Sequence, residues 1–535
     1  MKYKRIAAVL TTALIALTVF PGAAFGAGKK EPVPAATAGP LTIDWLGYSP
    51  FAQPAEGSEI QKRVEAKYNV KFNIWYADKQ KFDEVIGIKL AAGDMPDFMI
   101  IPNSATIPRY VEQGVLAPIT KEIFDKIPTY TKILKEYDTN NNILNEVTVN
   151  GKVYALKPIW LSTNYPTVVV WRTDWLKKVG IHKMPHTLDE FTDALYKFAK
   201  NDPDGNGKND TYGFSDSSMD FFFGAFGPIP LYRYSSRSGQ RLHWSKQGDT
   251  YTFNAILPEM KEALGYLQKL YADGVIDPEF VTSENKGGYW AISHAFMNGR
   301  IGLTGRQYFY HWAPPLTKTD KGGIVYLEFL KANPGSDFGT TFELGKPPVG
   351  PKGKSGAFST GPANIDSFSF TTKGVKDPRK VAVICQMLED ALSDFDYNTL
   401  LVYGIKDVHY TIDSEGVYNY NQAYRGGPDQ IRAGIGVFSG GMMNPDFDKK
   451  RNPPLYAFAD KYATAGYVPE KVPITPAYQK YIGDLMKLTT EAYINIISGS
   501  RSLDYFDEFV RTFRARGGDE IMKEVNDTMK KMLGR

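Results

Sequence analysis

Residues 41–76 read LTIDWLGYSPFAQPAEGSEIQKRVEAKYNVKFNIWY, and this stretch decides the fold class. Its hydrophobic pattern predicts a strand at 41–46, an amphipathic helix at 58–68 and a second strand at 69–76. Strands that alternate with helices form a mainly parallel sheet with helices on both faces. The sequence therefore predicts an α/β fold.

The alternation continues with a predicted helix at 81–92 and a short apolar strand at 97–101. Parallel sheets of this kind bind ligands at the carboxyl ends of their strands. The segments 47–49 and 102–104 follow two such strands and are candidate ligand loops. The candidate ligand-binding residues around these two loops are Trp45, Tyr48, Asn103 and Ser104.

Length and composition indicate a globular chain of more than one domain. The 535 residues exceed what a single hydrophobic core usually accommodates, and 43% of them are hydrophobic. Aromatic residues make up 13% of the chain. Such residues either fill large cores or line a surface for a flat, partly apolar ligand, and the sequence leaves both interpretations open.

The first residues have the pattern of an export signal. Three basic residues precede the apolar run 6–20, and Ala24-Phe25-Gly26 forms a small-residue cleavage site. We therefore expect a signal peptide at 1–26 and a flexible Pro/Ala/Gly-rich leader at 27–40. Because no cysteine stands directly after the cleavage site to carry a lipid, we expect a soluble periplasmic or extracellular protein.

The charge balance argues against a nucleic-acid partner. Without residues 1–26 the chain has 60 basic and 59 acidic residues, whereas nucleic-acid binding needs a basic excess on one face. The single cysteine, Cys385, has no partner for an internal disulfide and reads as a buried apolar residue.

The segment DPDGNGKND at 202–210 predicts a loop that binds a hard cation. Side-chain oxygens fall at positions 1, 3, 5 and 9 of the segment, a glycine at position 6 permits the sharp turn, and position 7 offers a backbone carbonyl. Gly213 stands where an EF-hand has a bidentate Glu, so Thr211 or water would complete the shell of a structural Ca²⁺ ion. The alternative is a metal-free turn held by side-chain to backbone hydrogen bonds. The predicted metal ligands are Asp202, Asp204, Asn206, Lys208, Asp210 and Thr211.

Several segments, read in order, resemble the extracellular solute-binding proteins of carbohydrate ABC importers. Within that family they are most similar to the large calcium-containing oligosaccharide binders, such as the alginate-binding proteins. The segments that carry the resemblance are YVEQGVLAPI (110–119), NGKVYAL (150–156), WRTDWLKKVG (171–180), TLDE (187–190), 202–213 and AFMNGRIGL (295–303).

The resemblance implies a two-lobed periplasmic-binding-protein fold with a hinge and an interlobe ligand cleft. A hydrophobic run at 167–172 and a second segment near 363–371 are the expected crossings. The first lobe is then expected to comprise residues 41–166 and about 363–405, and the second lobe 167–362 and about 406–535. The family's calcium ligands map onto Asp202, Asp204, Asn206, the Lys208 carbonyl and Asp210, and Thr211 stands where the relatives have Glu.

The implied function is capture of an oligosaccharide and its delivery to the membrane permease subunits of an importer, by a monomer without catalysis. The sequence leaves open whether the sugar contains uronates. Sugar rings stack their C–H faces on aromatic rings and need polar groups beside them. The further candidate ligand residues are Trp160, Tyr165, Trp290, Arg306, Tyr308, Trp312 and Tyr403, whereas Trp175 is expected in the core.

The rival hypothesis is a secreted carbohydrate-active enzyme, either a hydrolase or a lyase, with a structural calcium loop. Such an enzyme would share the export signal and the aromatic residues. A glycosidase needs two carboxylates about 5–10 Å apart, and the sequence singles out no such pair.

Overall fold

The computed structural model describes residues 39–78, 81–138, 142–232, 241–282, 293–359, 361–363, 366–462 and 466–532. The predicted signal peptide, nearly all of the predicted leader and Trp290 lie outside these residues.

The strands form two four-stranded sheets and several short hairpins. They are β1 (Leu41–Leu46), β2 (Val70–Ile74), β3 (Phe98–Ile101), β4 (Thr148–Val149), β5 (Lys152–Val153), β6 (Val169–Arg172), β7 (Tyr212–Phe214), β8 (Leu231–Tyr232), β9 (Arg241–Leu242), β10 (Trp244–Gln247), β11 (Thr250–Phe253), β12 (Ile301–Thr304), β13 (Phe342–Gly345), β14 (Ser367–Phe370), β15 (Tyr410–Ile412) and β16 (Tyr418–Tyr420).

Helices account for most of the remaining regular structure. They are α1 (Glu59–Tyr68), α2 (Phe82–Ala91), α3 (Ile107–Glu112), α4 (Lys121–Asp125), α5 (Pro128–Tyr137), α6 (Leu161–Asn164), α7 (Thr173–Lys178), α8 (Leu188–Lys200), α9 (Met219–Phe226), α10 (Pro258–Ala272), α11 (His294–Met297), α12 (Phe309–Trp312), α13 (Ile324–Ala332), α14 (Pro378–Ser393), α15 (Phe395–Val402), α16 (Gly427–Arg432), α17 (Pro445–Arg451), α18 (Pro453–Tyr462), α19 (Pro476–Ile497), α20 (Tyr505–Phe513) and α21 (Asp519–Met532).

The first sheet has the strand order β14-β3-β1-β2, and β1 is parallel to both β2 and β3. Its helix α1 begins after Ser58, whose hydroxyl accepts a hydrogen bond from the Gln61 amide, and ends at Asn69 in a left-handed conformation. The predicted elements from β1 to β3 are confirmed. The added strand β14 runs antiparallel to β3 and brings residues 367–370 back to this sheet.

The first core packs around this sheet and includes the apolar faces of α1 and α14. Cys385 is buried in it, as predicted. Residues between Ile431 and Met442 also contribute buried side chains to this core. The sequence had placed that segment in the second lobe, and hydrophobic pattern alone does not show that the chain returns to the first core so late.

The second sheet has the order β13-β6-β12-β7 and separates two groups of apolar side chains. Successive side chains of a strand point to opposite faces. Val169 and Trp171 accordingly pack in one group, whereas Val168 and Val170 pack in the other. We refer to the two groups together as the second core.

The C-terminal helices α19, α20 and α21 pack on the face of the second core that contains Trp171. Tyr493, Phe509 and Val525 are buried there, one from each helix. The amphipathic pattern of the sequence from about residue 475 onward predicts a mostly helical tail, and these three helices confirm it. Trp175 is fully buried in the same group, as expected.

In the part of the chain that the structure describes, three segments connect the two cores. The first runs from Ile159 to Val168, the second from Ala357 to Phe368, and the third from Met442 to Phe458. The first two lie side by side, because the Thr167 amide donates a hydrogen bond to the Phe358 carbonyl at 2.8 Å. None of the helices in the described ranges combines the length and hydropathy of a membrane-spanning segment.

Candidate ligand-binding site

A small pocket, with a cavity volume of about 20 Å³, lies beside the first and third connecting segments. Its aromatic residues are Tyr165, Phe309 and Tyr462, and the Tyr165 ring meets the Phe309 ring edge-on at 4.9 Å between centroids. The backbone of residues 166–169 forms another part of the wall. The pocket therefore combines flat apolar surfaces with the chain that joins the cores.

Two carboxylates orient the tyrosine rings of this pocket. The Tyr165 hydroxyl donates to Asp460 Oδ1, and the Tyr462 hydroxyl donates to Glu343 Oε1, each at 3.0 Å. Burial and the neighbouring carboxylate raise the pKa of each tyrosine, so both hydroxyls stay protonated. The rings are fixed by hydrogen bonds at their far ends.

A second aromatic group, which we call the tyrosine cluster, consists of Tyr403, Tyr410, Tyr418 and Tyr420. Tyr403 stacks on Tyr420 with centroids 4.8 Å apart, and Tyr410 stacks on Tyr418 at 5.2 Å. All but Tyr410 are half-buried. Ring faces at this degree of burial suit stacking against a ligand.

A buried ion pair lies under the tyrosine cluster. Arg451 is fully buried, its Nη1 lies 3.3 Å from Asp448 Oδ1, and its Nε donates to Thr399 Oγ1 at 3.2 Å. The guanidinium carbon lies 5.4 Å from the centre of the Tyr403 ring, within cation–π range. Burial raises the pKa of Asp448 to about 7, against the opposing effect of Arg451. The hydrogen bond from Arg451 to Thr399 fixes α17, in the third connecting segment, against α15.

Three of the predicted ligand residues are core residues instead. Trp45, Tyr48 and Trp312 each have no exposed surface. Trp45 stacks on Phe98 at 5.2 Å and its indole N–H donates to the Val437 carbonyl, while the Trp312 indole N–H donates to the Arg306 carbonyl. The predicted ligand contacts of these three residues are wrong, because their rings are enclosed by other side chains.

The two residues predicted after β3 differ in their surroundings. Ser104 is buried, and its Oγ lies 3.3 Å from Ser367 Oγ of β14, so the prediction of a ligand contact there is also wrong. Asn103 is exposed, although its Oδ1 accepts a hydrogen bond from the Ala105 amide. Asn103 remains a prediction.

Trp160, Arg306 and Tyr308 are half-buried. The Trp160 indole N–H donates to the Gly441 carbonyl at 3.1 Å, and Tyr308 stacks on Tyr310 at 5.7 Å. These three remain predicted ligand residues.

The sequence did not identify the aromatic partners of Tyr165 and Tyr403. Among those partners, only Tyr418 and Tyr420 had a local signal, which is the alternation of tyrosines along a strand. The missed residues are Phe309, Tyr462, Tyr410, Tyr418 and Tyr420.

A cluster of charged side chains, of which Lys157 is fully buried and the others are half-buried, joins the two cores beside the first connecting segment. The Glu146 carboxylate lies 3.4 Å from the Lys157 ammonium, 3.0 Å from the Lys471 ammonium and 3.6 Å from the Arg241 guanidinium. Glu146 stands next to residues of the first core in the sequence. Although burial raises the pKa of Glu146, the three cations hold it well below its usual range. Burial lowers the pKa of Lys157 to about 8. We refer to these four residues as the Glu146 cluster.

The predicted cation loop is closed by its own hydrogen bonds. Asp202 accepts from the Gly207 amide at 2.9 Å, and the Asn206 Nδ2 group donates to Asp204 at 2.8 Å and to Asp210 at 3.1 Å. The Gly207 amide lowers the pKa of Asp202, whereas partial burial and the adjacent Asp202 raise the pKa of Asp204. The carboxylates therefore gather around the donor end of the Asn206 side chain.

Thr211 does not belong to this donor set. Its side chain is buried and its hydroxyl donates to the Phe198 carbonyl of α8 at 2.8 Å, so its predicted role as a metal ligand is wrong. Across the described ranges, no group of three or more His, Cys, Asp or Glu side chains is arranged to hold a metal ion. The oxygen chemistry of Asp202, Asp204, Asn206 and Asp210 nevertheless suits calcium, provided that the Asn206 carboxamide turns its oxygen inward.

Two sheets with separate cores, joined within the described residues by three chain segments, two of which lie beside an aromatic pocket, define a two-lobed periplasmic-binding-protein fold. A model of the family described as bacterial extracellular solute-binding protein matches residues 59–380. Since this match covers more than half of the chain, the protein belongs to that family.

Individual relatives agree with this assignment. The chain is 25% identical over 508 residues to the polygalacturonan/rhamnogalacturonan-binding protein YtcQ of Bacillus subtilis, covering 92% of this chain and 91% of the relative. Among solved structures, the alginate-binding protein AlgQ2 without calcium ion matches with a TM-score of 0.63 at 19% identity, over 92% of this chain and 98% of the other. The S. pneumoniae substrate-binding protein FusA, in complex with kestose, matches with a TM-score of 0.60 at 16% identity, over 92% and 99% of the two chains. These structural matches establish the fold.

Proposed function

We propose that this protein captures an oligosaccharide between its two cores and delivers it to an ABC importer. The observation that carries the proposal is the presence of two aromatic groups near the connecting segments, the Tyr165 pocket and the tyrosine cluster. Family membership and a relative named for binding polygalacturonan and rhamnogalacturonan support it.

The geometry suits sugar rings in two ways. Half-buried tyrosine faces offer flat apolar surfaces for pyranose or furanose C–H groups, at little entropic cost because the rings are already held. Carboxylates such as Asp460 and Glu343 lie at the rims of the rings and accept hydrogen bonds, as sugar hydroxyls require. We therefore propose that the protein functions by binding its sugar and not as a carbohydrate-active enzyme.

The test is isothermal titration of the protein with a panel of neutral and uronate-containing oligosaccharides, with chromatography of the sugar afterwards. We expect one sugar class to bind and to be recovered uncleaved. The variant Tyr418→Ala is expected to weaken binding about tenfold or more, since loss of a stacking ring costs about 1.5–3 kcal/mol by analogy with buried aromatic side chains. The matched control is Tyr505→Ala, a half-buried tyrosine on the second core that should leave binding unchanged. Cleavage products would instead favour an enzyme.

We further propose that the 202–210 loop binds a structural Ca²⁺ ion. Asp202, Asp204, Asn206, Asp210 and the Lys208 carbonyl would hold it, and the bound ion would neutralise the carboxylate charge beside Asp204 that helps to raise the pKa of that residue. The loop follows α8 directly, so the ion would stabilise the carboxyl end of that helix.

Calcium binding is tested by thermal unfolding in the presence of Ca²⁺ or of a chelator. We expect a higher midpoint with Ca²⁺ and expect Asp204→Asn to remove the difference. The control Asp193→Asn changes an exposed acid on α8 that pairs with Lys197, and it should keep the full calcium effect. Equal midpoints for the unmodified protein under both conditions would contradict the proposal.

We also propose that the protein acts outside the cytoplasmic membrane as a soluble monomer without a lipid anchor and contacts the importer's permease subunits. The predicted export signal and the family support an extracytoplasmic location. Mass spectrometry of the secreted protein tests the anchor. We expect an unmodified chain that starts near Ala27, and an added lipid mass would contradict this.

A further inference from the structure

The hairpin of β15 and β16, residues 410–420, is attached to the first core at its base. Tyr420 packs against that core, and its hydroxyl donates to the Val402 carbonyl at the end of α15. The Asn421 amide donates to the His409 carbonyl at 2.9 Å and closes the base of the hairpin. The hairpin therefore moves with the first core.

The tip of the same hairpin contacts a loop of the second core. Asp413 Oδ2 accepts hydrogen bonds from the hydroxyls of Thr317 at 3.0 Å and Thr319 at 2.8 Å. The Lys318 amide donates to Glu415 Oε1 at 3.3 Å. The contact thus consists of three hydrogen bonds to two carboxylates of the hairpin tip.

The receiving loop is fixed to the second core on both sides. Ala313 is buried there, and the Gly323 amide donates to the Ala313 carbonyl at 2.8 Å. Between these two residues, Asp320 Oδ2 accepts from the Leu316 amide at 3.0 Å. Thr317 and Thr319 are consequently presented from a closed loop that belongs to the second core.

The Asp413 carboxylate both holds the turn at the hairpin tip and accepts the hydrogen bonds of this contact. Its Oδ1 accepts from the amides of Glu415 and Val417, each at 2.9 Å, and so holds the turn, while its Oδ2 faces the threonines. Partial burial opposes ionisation, but the Val417 amide and the hydroxyls of Thr319 and Thr317 lower the pKa of Asp413 to about 2. The carboxylate is therefore ionised and accepts from both sides.

We propose that residues 410–420 form a strap that fastens the first core to the second, with the Asp413 carboxylate as the fastening group. The strap also carries Tyr410 and Tyr418 of the tyrosine cluster. Fastening thereby sets the position of those rings relative to the second core. The effect of the strap on ligand binding rests on the proposed function, whereas the fastening itself does not.

The test measures the distance between the hairpin tip and the second core in the absence of sugar. Two cysteines are introduced by the substitutions Ser414→Cys, at the exposed hairpin tip, and Lys331→Cys, on the exposed face of α13 in the second core. A spin label is attached to each, and the distance between the labels is measured by double electron-electron resonance. Cys385 needs no replacement, because it is buried and burial raises the pKa of its thiol to about 12. We expect one narrow distance distribution in this background.

The second-core partners are then removed in the variant Thr317→Val/Thr319→Val, which leaves the hairpin sequence unchanged. We expect a second population at longer distance, with the ratio of fastened to released molecules reduced about tenfold or more, since hydrogen bonds to a charged group each contribute more than neutral ones. Thr340→Val is the control, because that exposed hydroxyl bonds only to the Asp337 carbonyl in its own loop, at 3.4 Å.

Circular dichroism confirms that each variant is folded. A second variant, Asp413→Asn, alters the same contact on the hairpin side. It should give the same second population. A distance distribution identical to that of the control in both the threonine and the Asp413 variants would overturn the strap. Failure of every oligosaccharide to bind would leave this distance result unaffected, so the two proposals fail separately.

Discussion

The Glu146 cluster offers the sharpest prediction about stability. In Glu146→Gln the carboxylate charge disappears from among Lys157, Lys471 and Arg241, which lie 3.0–3.6 Å from it. Removing one partner of a buried ion pair costs about 3–5 kcal/mol, because the remaining charge is left uncompensated. We expect the free energy of unfolding, measured in urea at pH 6, to fall by about that amount.

The loss of unfolding free energy caused by Glu146→Gln should depend on pH. In the unmodified protein the pKa of Lys157 is lowered to about 8 in the folded state, below its unfolded value. The unfolded state therefore binds this proton more tightly, and the free energy of unfolding rises as pH increases from about 8 to 10. Without Glu146 that pKa falls further, and the rise should begin below pH 8. The loss in the variant should therefore be smaller at pH 9 than at pH 6.

The matched control is Glu262→Gln, which breaks an exposed pair with Lys352 and should cost about 0–1 kcal/mol at either pH. The double variant Glu146→Gln/Lys157→Met should recover part of the stability, since it also removes the most deeply buried cation. If Glu146→Gln cost no more than Glu262→Gln, the reasoning about a buried, mutually dependent cluster would be refuted.

Three further predictions concern the cores, a turn and pH. Trp45→Ala should lower the free energy of unfolding by about 3–5 kcal/mol in denaturant, yet the folded fraction should titrate oligosaccharide as before, because that ring is enclosed in the core. Gly151→Ala should cost about 1 kcal/mol, since Gly151 has φ +75° in the β4–β5 turn, and the urea midpoint measures it. Burial lowers the pKa of His243 to about 3, so the unfolded chain takes up a proton first and stability should fall as pH drops from about 6.5 towards 3; His243→Gln should flatten that urea-midpoint profile.

Local signals predicted the local elements well. Thr187 and Glu190 form the capping box that their spacing predicts, and Asn150 and Gly151 both adopt positive φ in the hairpin that they predict. Each of these features depends on residues a few positions apart, so the sequence contains all the information needed.

The ligand site was predicted only in part, because burial depends on distant segments. Trp45 was expected at a ligand surface, but residues near Val437, almost 400 positions later, enclose it. The Glu146 cluster likewise brings together residues 146, 157, 241 and 471, which no local spacing connects. By contrast, Tyr165 lines the pocket as part of the first connecting segment, and the hydrophobic run that follows it in the sequence indicated that position.

The most direct test of the central claim is isothermal titration of the unmodified protein with neutral and uronate-containing oligosaccharides, followed by chromatography of the sugar. Our account predicts saturable binding of one sugar class, recovery of the sugar intact, and loss of that binding in Tyr418→Ala but not in Tyr505→Ala. Binding that both variants retain equally would place the ligand elsewhere, and the absence of binding by any sugar, or recovery of cleaved sugar, would contradict the account.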